Sequence, residues 1–451
     1  MFKYTLVIIA TIFTGIVVGQ MNTSSPYSSW GIGDVGFYGD AYANSLGGAS
    51  VALTDSSEAN FFNPSTYSLL AKQLPLFSFG LNHYEKSFSD NNGLASEGRF
   101  TNITHLGLAI PFANRFGLGF GLKPYSRMGY EIGGGNIPDG DSIHYRYSGK
   151  GGIQEIFIGF AGNILDNRNH SLSLGVNGIY YFGKINNQRR AYQNTSNGEK
   201  GGLDDRKLIA KDFGMEIGLN YEYKISDKHS LRLGAVFRPE RKMKFEKEDT
   251  RIFYSNFTNI GTYDTILNNP TITGRIHIPA MTKIGIAYRY TPQDDSVRSR
   301  TKLSSYLFTF EYDMMNWSAY QENFNGTGEI NRYVNSSSYR FGFEFVPHRL
   351  SAARSSYIKY FDKIKYRIGG YWIDSPYAVG GTQLQDRGVT LGFGFPLILN
   401  RAVSTISFSA NYGVMGSSKI ANSIKENYYG FNIGINIAPG YDRWFKKYKY
   451  D

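Results

Sequence analysis

Residues 213–223 read FGMEIGLNYEY, with Phe213, Met215, Ile217, Leu219, Tyr221 and Tyr223 interleaved with Gly214, Glu216, Gly218, Asn220 and Glu222. Residues 404–414, STISFSANYGV, repeat the pattern: Ile406, Phe408, Ala410, Tyr412 and Val414 alternate with Ser407, Ser409, Asn411 and Gly413. Side chains in a strand point to opposite faces with period two, so each segment has one apolar and one polar face. A soluble sandwich alternates too. Length and composition decide between them: the segments run about ten residues and are rich in Gly and aromatics, as a tilted membrane strand requires.

About fourteen such segments follow one another. The expected strands are 74–84, 102–112, 116–130, 152–163, 170–182, 207–223 and 229–237 in the first half. In the second half they are 281–290, 304–313, 338–345, 364–372, 387–395, 404–414 and 427–437. The tight turns Ala113 to Arg115, Ile164 to Asn169 and Lys224 to Lys228 read as periplasmic. The longer connections Gly183 to Arg206 and Arg238 to Ala280 read as polar outer loops. Late in the chain that contrast weakens, because Val346 to Lys363 is longer than the supposed outer loop Ile373 to Asp386, and twelve or sixteen strands stay open as alternatives.

No run of eighteen apolar residues exists, so helical spans are excluded, and a mean hydropathy of -0.33 is no objection to a barrel with a polar interior. Met1 to Gly19 reads as a secretory signal: Lys3, an apolar run from Leu6 to Val18, and small residues before Gln20. The resulting expectation is an all-β transmembrane barrel of about fourteen antiparallel strands, residues 74–438, exported to the outer membrane of a Gram-negative bacterium. Cysteine is absent, so neither disulfides nor an N-terminal lipid-modified cysteine is expected. The net charge of +11 is scattered, apart from Arg443, Lys446, Lys447 and Lys449 in a basic aromatic periplasmic tail, 439–451. That distribution argues against nucleic acid and for lipid headgroups.

Gln20 to Gln73 does not continue the ladder and is expected to fold as a plug inside the lumen. Within it, Ala43 to Leu70 (ANSLGGASVALTDSSEANFFNPSTYSLL) resembles the hatch of FadL-type outer-membrane transporters of hydrophobic compounds. The Gly47-Gly48-Ala49 run, Asp55-Ser56-Ser57 and Asn63-Pro64 correspond to the family's Gly-Gly-Ala, acidic-Ala-Ser and Asn-Pro-Ala, with Ser65 in place of the last Ala. The resemblance implies a hatch and gate at Gly47, Gly48, Asn63 and Pro64, with hydrophobic small molecules passing to the bilayer through a strand distortion. Independently of it, Gly47 and Gly48 permit positive φ and close packing, and Asn63 before Pro64 favours a turn where helix or plug ends.

Charges on the inward phase of strands seven to eleven, Arg232, Arg289, Glu311, Asp313, Arg340, Glu344 and Arg367, are expected to pair with one another and with the hatch. Catalytic and cofactor signals are lacking. The seven histidines are dispersed, Gly31-Ile-Gly33-Asp-Val-Gly36 lacks a βαβ setting, and Asp204-Asp205 and Asp294-Asp295 read as solvated turns. No enzyme, metal or cofactor is expected. Two functions remain: passive uptake of hydrophobic compounds, or a non-transporting role as accessory subunit of an outer-membrane assembly or secretion machine, as the PorV-like relatives of that family have. The tail beyond the last strand departs from a simple transporter and leaves room for protein partners.

Overall fold

The computed structural model describes residues 23, 25–36, 39–55, 57–71, 75–113, 115–136, 143–196, 198–292, 304–325, 327–328, 333–348, 360–399, 402–417 and 423–438. The signal, the tail 439–451 and Asp294-Asp295 lie outside them.

The strands are β1 (Leu76–Ser89), β2 (Ala95–Phe112), β3 (Phe116–Asn136), β4 (Ile143–Asp166), β5 (His170–Thr195), β6 (Gly198–Lys224) and β7 (His229–Arg238). There follow β8 (Arg241–Tyr254), β9 (Tyr263–Asn268), β10 (Ile272–Ile278), β11 (Met281–Tyr290), β12 (Ser305–Met315), β13 (Gln321–Phe324) and β14 (Thr327–Gly328). The last five are β15 (Ser336–Val346), β16 (Lys365–Val379), β17 (Thr382–Leu399), β18 (Ala402–Met415) and β19 (Lys425–Ile437).

Fourteen of them close an antiparallel barrel: β1 to β7, β11, β12 and β15 to β19, with β19 pairing back onto β1 from Phe77↔Ile437 to Ser89↔Lys425. Closure leaves no strand edge in the hydrocarbon, the condition for crossing it without helices. The burial pattern carries the alternation of the sequence: on β19, Phe431 and Ile433 are exposed while Asn432 and Gly434 are buried. Aromatic pairs ring the outer surface at two levels, Tyr290–Tyr306 and Tyr306–Phe345 near one end, Tyr312–Tyr339 and Tyr412–Tyr429 near the other. Such girdles mark the two membrane interfaces.

Two expected loops are strand instead. β5 and β6 pair without interruption from His170↔Tyr223 to Thr195↔Gly198, which absorbs Gly183 to Arg206 and places Asp204 and Asp205 in a ladder beside Arg251 and Lys207. Arg238 to Ala280 holds β8, β9 and β10, which extend the sheet beyond the barrel rim by pairing β6 with β8 and β8 with β10. Polar cross-strand pairs satisfy a sheet in water as apolar ones do in lipid, so polarity alone misread these segments. Ile373 to Asp386 is likewise mostly strand, turned by Gly380 and Gly381.

A cluster of glycines marks a special place in the wall. Gly151, Gly152 and Gly183 lie side by side on β4 and β5 with φ of 110°, 156° and 147°, and a Cβ on Gly152 would run into the carbonyl oxygen of Ser126 on β3. Three strands approach closely there because glycine alone allows both the backbone and the contact.

Candidate functional site

Inside the barrel, residues 39–71 pack against the inner faces of the strands. Asp40 caps the short helix Ala41–Asn44 by accepting from the Ala43 N–H at 2.8 Å. Gly47 and Gly48 have φ of 71° and 86°, and a Cβ on Gly47 would collide with the carbonyls of Gly370 and Phe341. The Gly47 N–H donates to the Thr390 hydroxyl Oγ1 at 3.0 Å, so the hatch backbone is hydrogen-bonded to a side chain of the wall. Asn63 is fully buried; its Nδ2 donates to the carbonyls of Val51 (2.7 Å) and Leu219 (3.0 Å), and its Oδ1 accepts from the Ser65 N–H (3.1 Å). Pro64 opens a 3-10 helix, Pro64–Leu69, against Gly175 and Gly218 of β5 and β6. The Asn-Pro pair therefore starts a helical turn, where the sequence reading ended one: Asn is a good cap, and Pro fits the first position because its missing N–H has no role there.

Three of the seven inward charges, Arg232, Glu311 and Arg367, contact the hatch directly, and the other four pair with one another or with these on the wall. Glu311 accepts from the Ser50 and Val51 N–H groups at 2.6 and 2.7 Å and pairs with Arg340 at 3.2 Å. Arg340 also pairs with Asp313, which Lys283 approaches to 3.7 Å. Arg367 bridges Glu344 (2.8 Å) and hatch Glu58 (3.0 Å), and Arg289 stands 3.9 Å from Glu344. Arg232 pairs with Glu222 at 3.1 Å and donates to the Thr54 carbonyl at 3.2 Å. Sequence reasoning missed Lys365, which holds both Asp55 and Glu58 at 2.7 Å, because it is the first residue of its strand. It also missed Lys123–Glu155 (3.2 Å), Glu155–Arg238 (3.1 Å) and Arg238–Glu216 (2.6 Å), whose members stand on the same inward phase in the first half. Removing one partner of a buried pair costs about 3–5 kcal/mol; the pairs of Lys365 and Arg367 with Asp55 and Glu58 pin the plug to the wall, and the others join wall strand to wall strand.

The wall has one seam among the described residues. β2 and β3 pair from Phe112↔Phe116 to Leu106↔Leu122 and then separate: β2 from Ala95 to His105 is bonded to β1, and β3 beyond Lys123 to β4. A register shift at Tyr125, beside Pro124, draws β3 inward, so that Lys123 to Tyr130 are all buried where a wall strand would alternate. The chain's own N-terminal segment occupies the vacated edge. Asp34 exchanges backbone hydrogen bonds with Arg127 (2.8 and 2.9 Å), and Ser25 N–H donates to the Gly129 carbonyl (3.0 Å). At the start of β19, across β1 and β2 from β3, Ser25 Oγ donates to Glu426 (2.5 Å) and Tyr27 OH to the Ile424 carbonyl (2.7 Å). Arg127 Nη2 reaches across the seam to the Ile103 carbonyl at 3.0 Å. Behind it lies a cavity of about 330 Å³ whose lining includes Tyr84, Phe100, Pro124, Tyr125, Trp317 and Tyr428.

A family model described as BamG matches residues 1–451. No curated protein matches the sequence. Among solved structures, the CymD monoaromatic hydrocarbon channel is 12% identical, with a TM-score of 0.53 over 89% of this chain and 98% of that one. A Pseudomonas aeruginosa FadL homologue is 11% identical, TM-score 0.51, over 93% and 99%. The Pseudomonas putida toluene transporter TodX is 14% identical, TM-score 0.51, over 90% and 99%. At these identities the likeness establishes a FadL-like fourteen-stranded barrel, a fold whose members here are channels and transporters, not enzymes.

Proposed function

The chain belongs to the BamG family along its whole length, and from that premise we propose that it is a closed, non-transporting barrel of the outer membrane, an accessory subunit of an assembly or secretion machine. The observation that carries this reading is the sealed lumen. The hatch is pinned by Glu311, Lys365 and Arg367, and the N-terminal segment fills the one vacated strand edge among the described residues. Buried ion pairs and a self-completed seam suit a rigid wall element for docking other proteins better than a plug that moves with each passing molecule. Membership of this family, with the hydrocarbon channels matching in fold alone, supports the same choice. The partners are outer-membrane or periplasmic proteins and the surrounding lipid. Purification from native membranes tests it: a stable large assembly is expected, and a lone barrel with ordinary assembly of other outer-membrane proteins in a deletion strain overturns it.

A second reading, passive movement of hydrophobic compounds, is favoured by the aromatic cavity lying directly behind the β2–β3 seam. It requires that deletion of the gene lower the uptake of a long-chain or aromatic compound.

A further inference from the structure

The plug divides the lumen unequally. On the side of the tight turns lies a second cavity, about 760 Å³, lined by hatch residues Thr54, Asp55 and Ser57 and by the ends of the surrounding strands. Its volume is in the range of ligand pockets, about 300–1,000 Å³, and basic side chains outnumber acidic ones in its lining. Six Lys and Arg (Lys224, Lys228, Arg232, Arg289, Lys363, Lys365) face four Asp and Glu (Asp55, Glu222, Asp227, Glu344). Internal pairs take three of the four acids: Asp55 is held by Lys365, Glu222 by Arg232, and Glu344 by Arg367 from deeper in the wall, which leaves Asp227 in the turn between Lys224 and Lys228. Arg289 is left with a 3.9 Å approach to Glu344 and a 3.4 Å contact with Ser305 Oγ. Lys224 and Lys228 form no side-chain ion pair among the described residues.

We propose that this vestibule is a socket for an acidic peptide segment of a partner protein. The Arg289 guanidinium takes one side-chain carboxylate, and Lys224 and Lys228 at the rim attract the next. A charge-assisted hydrogen bond from a guanidinium or ammonium favours a carboxylate, which an apolar ligand cannot match. The cavity lies inside the closed wall, away from bilayer headgroups. A peptide entering through the mouth fits a volume that one small ion would leave largely empty. The inference rests on the accessory-subunit reading but is tested on the isolated barrel, so that it can fail while the assembly survives, and the reverse.

The experiment is fluorescence anisotropy of a fluorescein-labelled hexaglutamate peptide with the full chain in detergent, at low and at physiological salt. Hexalysine and inorganic phosphate serve as comparison probes. The expected result is binding of hexaglutamate that weakens with salt, no binding of hexalysine, and at least a tenfold loss in K224E/K228E. That pair of substitutions lies at an exposed turn, and its folding is checked by heat-modifiable migration. A second variant, Arg289→Ala, is expected to lose affinity as well. Absence of hexaglutamate binding, equal binding by K224E/K228E, or tighter binding of phosphate than of the peptide would overturn the proposal.

Discussion

Asp34 pairs its backbone with Arg127 in the ladder position that β2 leaves empty above Leu106. The N-terminal segment thus acts as a short substitute strand, and the seam is completed by a piece of chain that reaches from β3 to the start of β19. Deleting residues 23–36 should leave the β3 edge from Arg127 to Gly129 unpaired and raise conductance in planar bilayers. Unchanged conductance would show that the segment does not seal the barrel.

Glu311 is the tightest pin. Glu311→Ala leaves the Ser50 and Val51 N–H groups and Arg340 without their acceptor, a loss of about 3–5 kcal/mol by analogy with broken buried pairs. Because Glu311 also serves the wall, the chemical-denaturation midpoint should fall, and hatch residues should become open to proteolysis first. Simultaneous loss of hatch and barrel would contradict a separately pinned plug.

Gly47→Val places a branched side chain at φ 71° against the carbonyls of Gly370 and Phe341. The variant should fold its barrel but not seat its hatch, read as increased conductance with normal heat-modifiable migration. Pro64→Ala keeps the Asn63 hydrogen bonds and should change little.

On the outer wall, Ile433→Arg near mid-strand should cost about 2–4 kcal/mol, whereas Ile437→Arg at the strand's end should cost about 0–1 kcal/mol. Asn432→Arg is not the innocuous control that alternation alone implied. Asn432 is buried and accepts from hatch Asn44 at 3.2 Å, so the larger side chain meets the plug. Folding yields from urea that ignore depth would refute the assigned membrane level.

Asp55 ties pH to the plug. Burial pushes its carboxyl upward, but the Lys365 ammonium and the Ser57 N–H and hydroxyl hold it below the ordinary carboxylate range. A depressed folded value stabilises at pH above the unfolded value of about 4, and the contribution is lost as pH falls below it. Conductance should therefore rise below about pH 4 in the intact protein and be less pH-dependent in Asp55→Asn. The orientation itself is checked by cysteines: one at Arg168 should resist an impermeant thiol reagent on whole cells, and one at Asn194 should react.

The alternation in residues such as 213–223 and 404–414 determined a barrel of about fourteen strands, its lipid-facing side and the inward phase of Arg232 through Arg367, because period two is a local property of extended backbone, while the closed sheet fixed the count at fourteen. The Gly-Gly and Asn-Pro pairs likewise marked where a plug needs close packing and a turn. Tertiary structure alone decided what those inward charges meet, since Glu58 reaches Arg367 and Ser50 reaches Glu311 across hundreds of residues of sequence. It also decided that polar stretches after Gly183 and Arg238 are paired strands, and that β3 leaves the wall at Tyr125 for Asp34 to replace β2. Such pairings depend on which edges are left open by closure and bending of the whole sheet, and no window of sequence contains that information.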